Sequence, residues 1–142
     1  MNNSELEKKI RIIISELSDK KGFICSIDIL LKLDYLSQTD YMNWRIGKIQ
    51  YLEKVCKTNL SKLTTINRTI KQIAIKMNLK PSWTDYNKYG KGPKISLRFS
   101  KSGDKNIEKV YATHWINEYQ IKKIKETNIK SNDTVETEST CS

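Results

Sequence analysis

Apolar residues fall into blocks of differing period along the chain, and the periods predict the elements. Leu6, Ile10, Ile13, Ile14 and Leu17 recur at helical spacing behind an S-x-x-E capping pair, Ser4 and Glu7, with Lys20-Lys21-Gly22 as the stop. An amphipathic first helix is expected there. After Gly22, Ser26 is placed to cap a shorter segment whose Ile27, Leu30, Leu31 and Leu33 are too dense for a surface helix, so it should be buried. Ser37-Gln38-Thr39-Asp40 reads as a loop. A third helical stretch starts near Asp40 with Tyr41, Trp44 and Ile49 on one side; Gly47 marks a bend, and Leu52 and Val55 carry an apolar face on to Cys56.

The longest periodic block follows. Asn59 is a strong N-cap, and Leu60, Leu63, Ile66, Ile70, Ile73, Ala74 and Met77 form a stripe that Leu79-Lys80-Pro81 ends. Only Lys57-Thr58-Asn59 separates this helix from segment 51–56, the length of a helix-turn-helix corner. Farther on, Ile95, Leu97 and Phe99 alternate with Ser96, Arg98 and Ser100 behind Gly90-Lys91-Gly92-Pro93, which predicts a hairpin arm. Its partner, Trp83 to Tyr89, reads as a strand, although a short helix capped by Ser82 fits the same residues. Ile107, Val110 and Tyr111 predict a short helix behind Ser102-Gly103-Asp104, and Thr113 to Ile116 should dock it on the core. Residues from about Lys125 onward are polar, aperiodic and free of aromatics, so they cannot offset the entropy of ordering. The expected fold is mainly α with a small β-hairpin (α+β): a single helix-turn-helix or winged-helix-like domain over residues 1–124 and a polar, disordered tail over 125–142.

Composition narrows this little. A chain of 142 residues suits one domain, 37% hydrophobic against 30% charged residues implies a crowded polar surface, and no apolar run reaches membrane-spanning length. The start, Met1-Asn2-Asn3-Ser4-Glu5, lacks the layout of a secretory signal, so a cytoplasmic location is expected. Cys25, Cys56 and Cys141 are odd in number and widely spaced, which suggests neither a disulfide framework nor a zinc cage.

Charge changes the picture. The net charge is +10, yet the last twelve residues hold Asp133, Glu136 and Glu138 and no Lys or Arg, leaving +13 on residues 1–130. Such an excess marks a polyanion partner, because each neutralised phosphate releases condensed counterions; a Lys-rich composition without function is the plainer explanation. On the long helix, Lys62, Thr65, Arg68, Thr69, Gln72 and Lys76 recur at spacings of three and four, with no Asp or Glu between Leu60 and Leu79. Arg pairs with guanine, Gln with adenine, Thr reaches a thymine methyl or a phosphate, and Lys supplies phosphate charge. An ordinary solvent face mixes signs to gain intrahelical pairs. The hairpin adds Lys88, Lys91, Lys94 and Arg98, a charged wing beside a recognition helix. Trp83, Tyr86 and Tyr89 read as core cover in preference to base stacking.

The expectation is therefore a nucleic-acid-binding protein of regulatory or accessory role, with double-stranded DNA favoured over RNA, no cofactor and no catalysis. Trp44-Arg45 with Gly47-Lys48 resembles an anion-binding turn, but no phosphate-loop or dinucleotide fingerprint accompanies it. Asp85, Asp104 and Glu108 lack the spacing of a paired-carboxylate or metal site, and His114, beside Trp115, reads as structural. The alternative is a protein-interaction module, or an accessory factor of a mobile element, whose basic face docks an acidic protein. A homodimer through Ile12 and Ile14 of the first helix is a further expectation.

Asn43-Trp44-Arg45-Ile46-Gly47-Lys48, Tyr51-Leu52-Glu53, Asn59-Leu60-Ser61-Lys62, Leu79-Lys80-Pro81-Ser82, Leu97-Arg98-Phe99-Ser100-Lys101-Ser102-Gly103-Asp104 and Tyr111-Ala112-Thr113-His114 together resemble a family of small bacterial proteins without an assigned activity. The resemblance covers about residues 22–116. It implies proline at the position of Gln50, and so a helix break just after Gly47, and brings no substrate or site.

Overall fold

The computed structural model describes residues 3–131. Helix α1 (Asn3–Lys21) buries Leu6, Ile10, Ile13, Ile14 and Leu17, and Gly22 turns the chain out of it at a φ of 82° that favours glycine. The helix contains Ser4 instead of starting behind it. Ile14, expected to help form a dimer seam, is wholly buried, which leaves Ile12 as the exposed member of that pair. Strand β1 (Phe23–Cys25) leads into helix α2 (Ser26–Lys32), where Ser26 is the first helical residue and no longer a cap; its hydroxyl donates to Asn67 Oδ1 at 2.7 Å. Cys25 is buried and disulfide-bonded, a correction to the unpaired cysteines inferred from spacing. Helix α3 (Gln38–Arg45) is capped by Ser37, whose Oγ accepts from the Asp40 N–H, so most of the expected loop at 37–40 is already helix. Gly47, at a φ of 86°, ends that run where a bend was expected.

Segment 51–56 departs from expectation. It forms a single 3-10 turn, Leu52–Val55, in place of the first helix of a helix-turn-helix. Its opening N–H groups are spent on the hairpin: Leu52 donates to the Arg98 carbonyl at 3.1 Å and Glu53 to that of Phe99 at 2.9 Å. Helix α4 (Leu60–Lys76) occupies the predicted stretch, although Leu60 and Met77, the two ends of the expected apolar stripe, are exposed. Asn59 Oδ1 accepts from the Lys62 N–H at 2.8 Å, and Leu63, Ile66, Ile70, Ile73 and Ala74 are buried, chiefly against α1.

The sheet is antiparallel, in the order β1-β3-β2, with β2 at Lys80–Trp83 and β3 at Thr113–Ile116. Ile24 and Pro81 flank Trp115 of the central strand. Pro81, which cannot donate, is tolerated because β2 is an edge strand. The hairpin is separate from this sheet. Asn87 faces Ser96 in an isolated bridge, the Lys88 N–H donates to Ile95 O and that of Leu97 to Tyr86 O, and the rest is loop. Helix α5 (Lys105–Ala112) is capped by Asp104, whose Oδ1 accepts from the N–H groups of Asn106 and Ile107. Helix α6 (Glu118–Ser131) corrects the tail boundary: Asn117 Oδ1 accepts from the Gln120 N–H, and the helix so started runs past Lys125 to Ser131. Residues 132–142 of the expected tail lie outside the described residues. The architecture is thus mainly helical with a small antiparallel sheet, an α+β fold. Among the described residues no helix is long and apolar enough to cross a membrane.

Two polar groups, the half-buried Glu108 and the buried His114, tie α5 and β3 to the hairpin. Glu108 accepts the Phe99 N–H at 2.8 Å on Oε1, and the Ser100 N–H and hydroxyl at 2.7 and 2.6 Å on Oε2. Its replacement by Ala strands those donors, so Glu108→Ala should lower the unfolding free energy by about 2 to 3 kcal/mol, with Glu108→Gln costing less, as urea titration will measure. His114 stacks on Phe23, ring centroids 5.5 Å apart, and its Nε2 lies 2.9 Å from the Tyr86 hydroxyl. Burial holds its pKa below the ordinary 6.5, with Asp28 opposing and Lys21 assisting. The unfolded chain therefore takes up a proton that the folded chain resists. The stability this confers is complete above about pH 7 and is lost as the pH falls through the ordinary histidine range towards the lowered folded pKa. Melting temperatures between pH 7.5 and 5.5 should fall for the wild type and fall less for His114→Gln; an identical decline would exonerate His114.

Candidate nucleic-acid interface

Helix α4 sorts the six residues proposed for contact by their position on the helical wheel. Residues 62, 69 and 76 lie seven apart and so run almost straight along one margin of the buried stripe. Thr69 is buried, 9% exposed, and its hydroxyl donates to the Thr65 carbonyl, which withdraws it from any ligand. Thr65 is half-buried and donates likewise to the Ser61 carbonyl, and Lys62 is half-buried. Arg68, Gln72 and Lys76 are exposed as expected. The outward surface also includes Thr64, Lys71 and Ile75. Lys71 was passed over because it falls outside the 62-65-69-72-76 ladder. That ladder tracks the edge of the core, whereas the residues farthest from a stripe centred on Ile66, Ile70 and Ile73 include Thr64, Arg68, Lys71 and Ile75.

The hairpin stands on α3 and the 3-10 turn. Tyr89 donates its N–H to the Arg45 carbonyl at 2.7 Å, and a Cβ added at Gly47 would lie 3.0 Å from Lys88 Cε, so the Lys88 stem lies close over that glycine. Lys88, Lys91 and Lys94 are exposed at the tip. Arg98 is not. Its guanidinium lies 5.5 Å from the Tyr51 ring centroid and its Nε is buried without a hydrogen-bond partner, so it packs the hairpin base and is withdrawn from the contact set. Arg45 faces inward too. It is 4% exposed, with its guanidinium 3.9 Å from the Tyr89 centroid and 5.1 Å from that of Tyr86, which removes it from the supposed anion-binding turn.

The three aromatics of segment 83–89 part company. Tyr86 is buried, Tyr89 covers Arg45, and Trp83 is 57% exposed, with Lys109 Nζ 4.2 Å from its ring centroid. Trp83 lines two cavities. One of about 500 Å³ is walled by Thr84, Asp85, Leu97, Lys105, Glu108 and Lys109. Another, of about 400 Å³, lies between α4 and α5 and is walled by Asn67, Lys71, Pro81, Asn106, Lys109 and Val110. A third, of about 550 Å³, continues past Asn67 to Leu60, Thr64, Lys101 and Ile107. Lys71, Lys105 and Lys109 thus surround an exposed indole beside the outward face of α4, a grouping that neither period nor charge spacing reveals, since its members come from three elements.

Burial pushes the Cys56 thiol up to about 12, so it stays protonated at neutral pH, and the Tyr86 and Tyr111 hydroxyls are likewise raised by burial. Among the described residues no three His, Cys, Asp or Glu side chains gather where they would hold a metal ion. The arrangement offers cations, amides and one open aromatic face, which suit binding. Set against family models, curated proteins and solved structures, the chain matches none of them.

Proposed function

We propose that this protein binds nucleic acid, with duplex DNA as the ligand of the α4 face and the hairpin lysines on the adjoining backbone. One observation carries the reading: seventeen consecutive helical residues contain no carboxylate, and their outward face presents Arg68, Lys71, Gln72 and Lys76. A solvated helix gains nothing from such uniformity, since like charges three and four apart repel. A polyanion repays it by releasing counterions. Arg68 and Gln72 have the chemistry for base edges, and Lys71, Lys76, Lys91 and Lys94 for phosphates.

A second reading has its own support. Leu60, Ile107 and Val110, all substantially exposed, edge the groove between α4 and α5, and an acidic protein with an apolar ridge would fit there. Co-purification of an acidic protein, with no retention of the pure chain on heparin or DNA, would favour it.

Purified, nuclease-treated protein titrated with a labelled random duplex should show log affinity falling steeply with log salt. Arg68→Ala should weaken a preferred site by about 1 to 3 kcal/mol and relax its sequence preference, while Lys91→Ala should weaken all duplexes alike and flatten the salt slope by about one. Absence of binding at low salt would end the nucleic-acid reading.

A further inference from the structure

The chain has three tryptophans, and the fold treats one of them differently. Trp44 is fully buried and donates its indole N–H to the Arg98 carbonyl at 2.8 Å; Trp115 is 9% exposed in the central strand. Trp83, the last residue of edge strand β2, leaves more than half of its surface in water between two cavities. The cations around it come from separate elements, Lys71 from α4 and Lys105 and Lys109 from α5, and Lys109 rests over the indole, restricting the ring before any ligand arrives. Two carboxylates line the first cavity. Glu108 is committed to three donors of Phe99 and Ser100, which leaves Asp85 at the exposed rim as the opposing charge. Asn106 lines the second cavity and supplies an exposed amide able to meet a base edge, whereas Asn67 beside it already accepts from the Ser26 hydroxyl.

We propose that this cleft receives an unpaired base, stacked on Trp83, with the neighbouring phosphates on Lys71, Lys105 and Lys109. The inference rests on the nucleic-acid reading and names the strand state the cleft selects: a single-stranded or locally opened segment, reached from the outward face of α4 through Lys71. Stacking on an open aromatic with cations tracking the backbone is how strands are held without sequence preference, and a base inside a closed duplex has no free face to offer. An acidic peptide would use the same lysines, but it has no need of the indole plane.

The test uses the full chain with three probes: a twelve-nucleotide single-stranded DNA, a blunt duplex of the same length, and polyglutamate. The single strand should quench indole fluorescence. Trp83→Ala should weaken single-strand binding about fivefold or more, the low end of one stacked base, while Trp83→Phe retains most of the affinity. Because Trp83 is largely exposed, both variants should melt close to the wild type; if Trp83→Ala melts early, Trp83→Phe against Trp83→Leu supplies the comparison at similar volume. Unchanged single-strand affinity in the Ala or Leu variant, alongside salt-dependent duplex binding, overturns this inference and leaves the parent reading standing. Failure of both DNA probes overturns the two together, and binding of polyglutamate alone assigns the cleft to an acidic protein.

Discussion

The Phe99 ring is the point at which separately encoded pieces of this chain are forced to agree. It lies 5.0 Å from the Trp44 ring of α3, 5.1 Å edge-on to Tyr86 across the hairpin, and 5.3 Å stacked on Tyr111 of α5. The hairpin has one isolated bridge and two flanking backbone hydrogen bonds, too few to hold two strands in register in water. Aromatic packing supplies what the ladder lacks, because such pairs add energy beyond the area they bury and fix the rings in angle. The backbone around Phe99 is then consumed on all sides: its N–H by Glu108, its carbonyl by Glu53, and the Arg98 carbonyl by both the Trp44 indole and Leu52.

This arrangement explains why segment 51–56 is not a helix. An α-helix there would need Leu52 and Glu53 to sit at its N-terminus with N–H groups met by water or a cap, whereas the hairpin base offers two carbonyls in line. Four residues of 3-10 turn result. It also explains why α5 can be strongly amphipathic and still expose Ile107 and Val110: Tyr111 and Glu108 alone carry its attachment to Phe99, and the remaining apolar positions border the groove towards α4.

Legibility in the sequence followed the length of the element. Helices α1 and α4 repeat their buried apolar residues over about three turns, long enough for the period of 3.6 to mark them. The strands span three or four residues, less than the window in which a period of two is distinct, and a proline such as Pro81 in β2 argues against a central strand. Register with β3 and an edge location remove the objection, but both are properties of the assembled sheet. Asn117 is a cap legible in the sequence, but the polar composition that follows it gives the helix no apolar stripe to mark it. The site residues divide on the same principle. Exposure of Arg68, Gln72 and Lys76, and the withdrawal of Thr69 at the margin of the buried stripe, follow from the helix alone, while the withdrawal of Arg98 depends on a tertiary neighbour, Tyr51.

Arg45 shows how much the fold will bear to keep the hairpin in place. A guanidinium that is almost wholly enclosed, with Nε and Nη1 lacking hydrogen-bond partners, is expensive unless something replaces water around it. The Tyr86 and Tyr89 rings, both from the hairpin arm, lie against it, and the Tyr41 hydroxyl of α3 interacts with it as well. Lifting that arm would expose the Tyr86 ring and strip the charge of its aromatic partners at once. The arm that carries the tip lysines is therefore held at its base, while Trp83, just ahead of it, stands open on the strand edge with Lys109 over its ring. On the function proposed above, the tip lysines would meet the backbone of a duplex, and the side chain open on the strand edge would meet a base that has left one. The two surfaces adjoin, because Lys71 belongs to both the outward face of α4 and the wall of the Trp83 cleft.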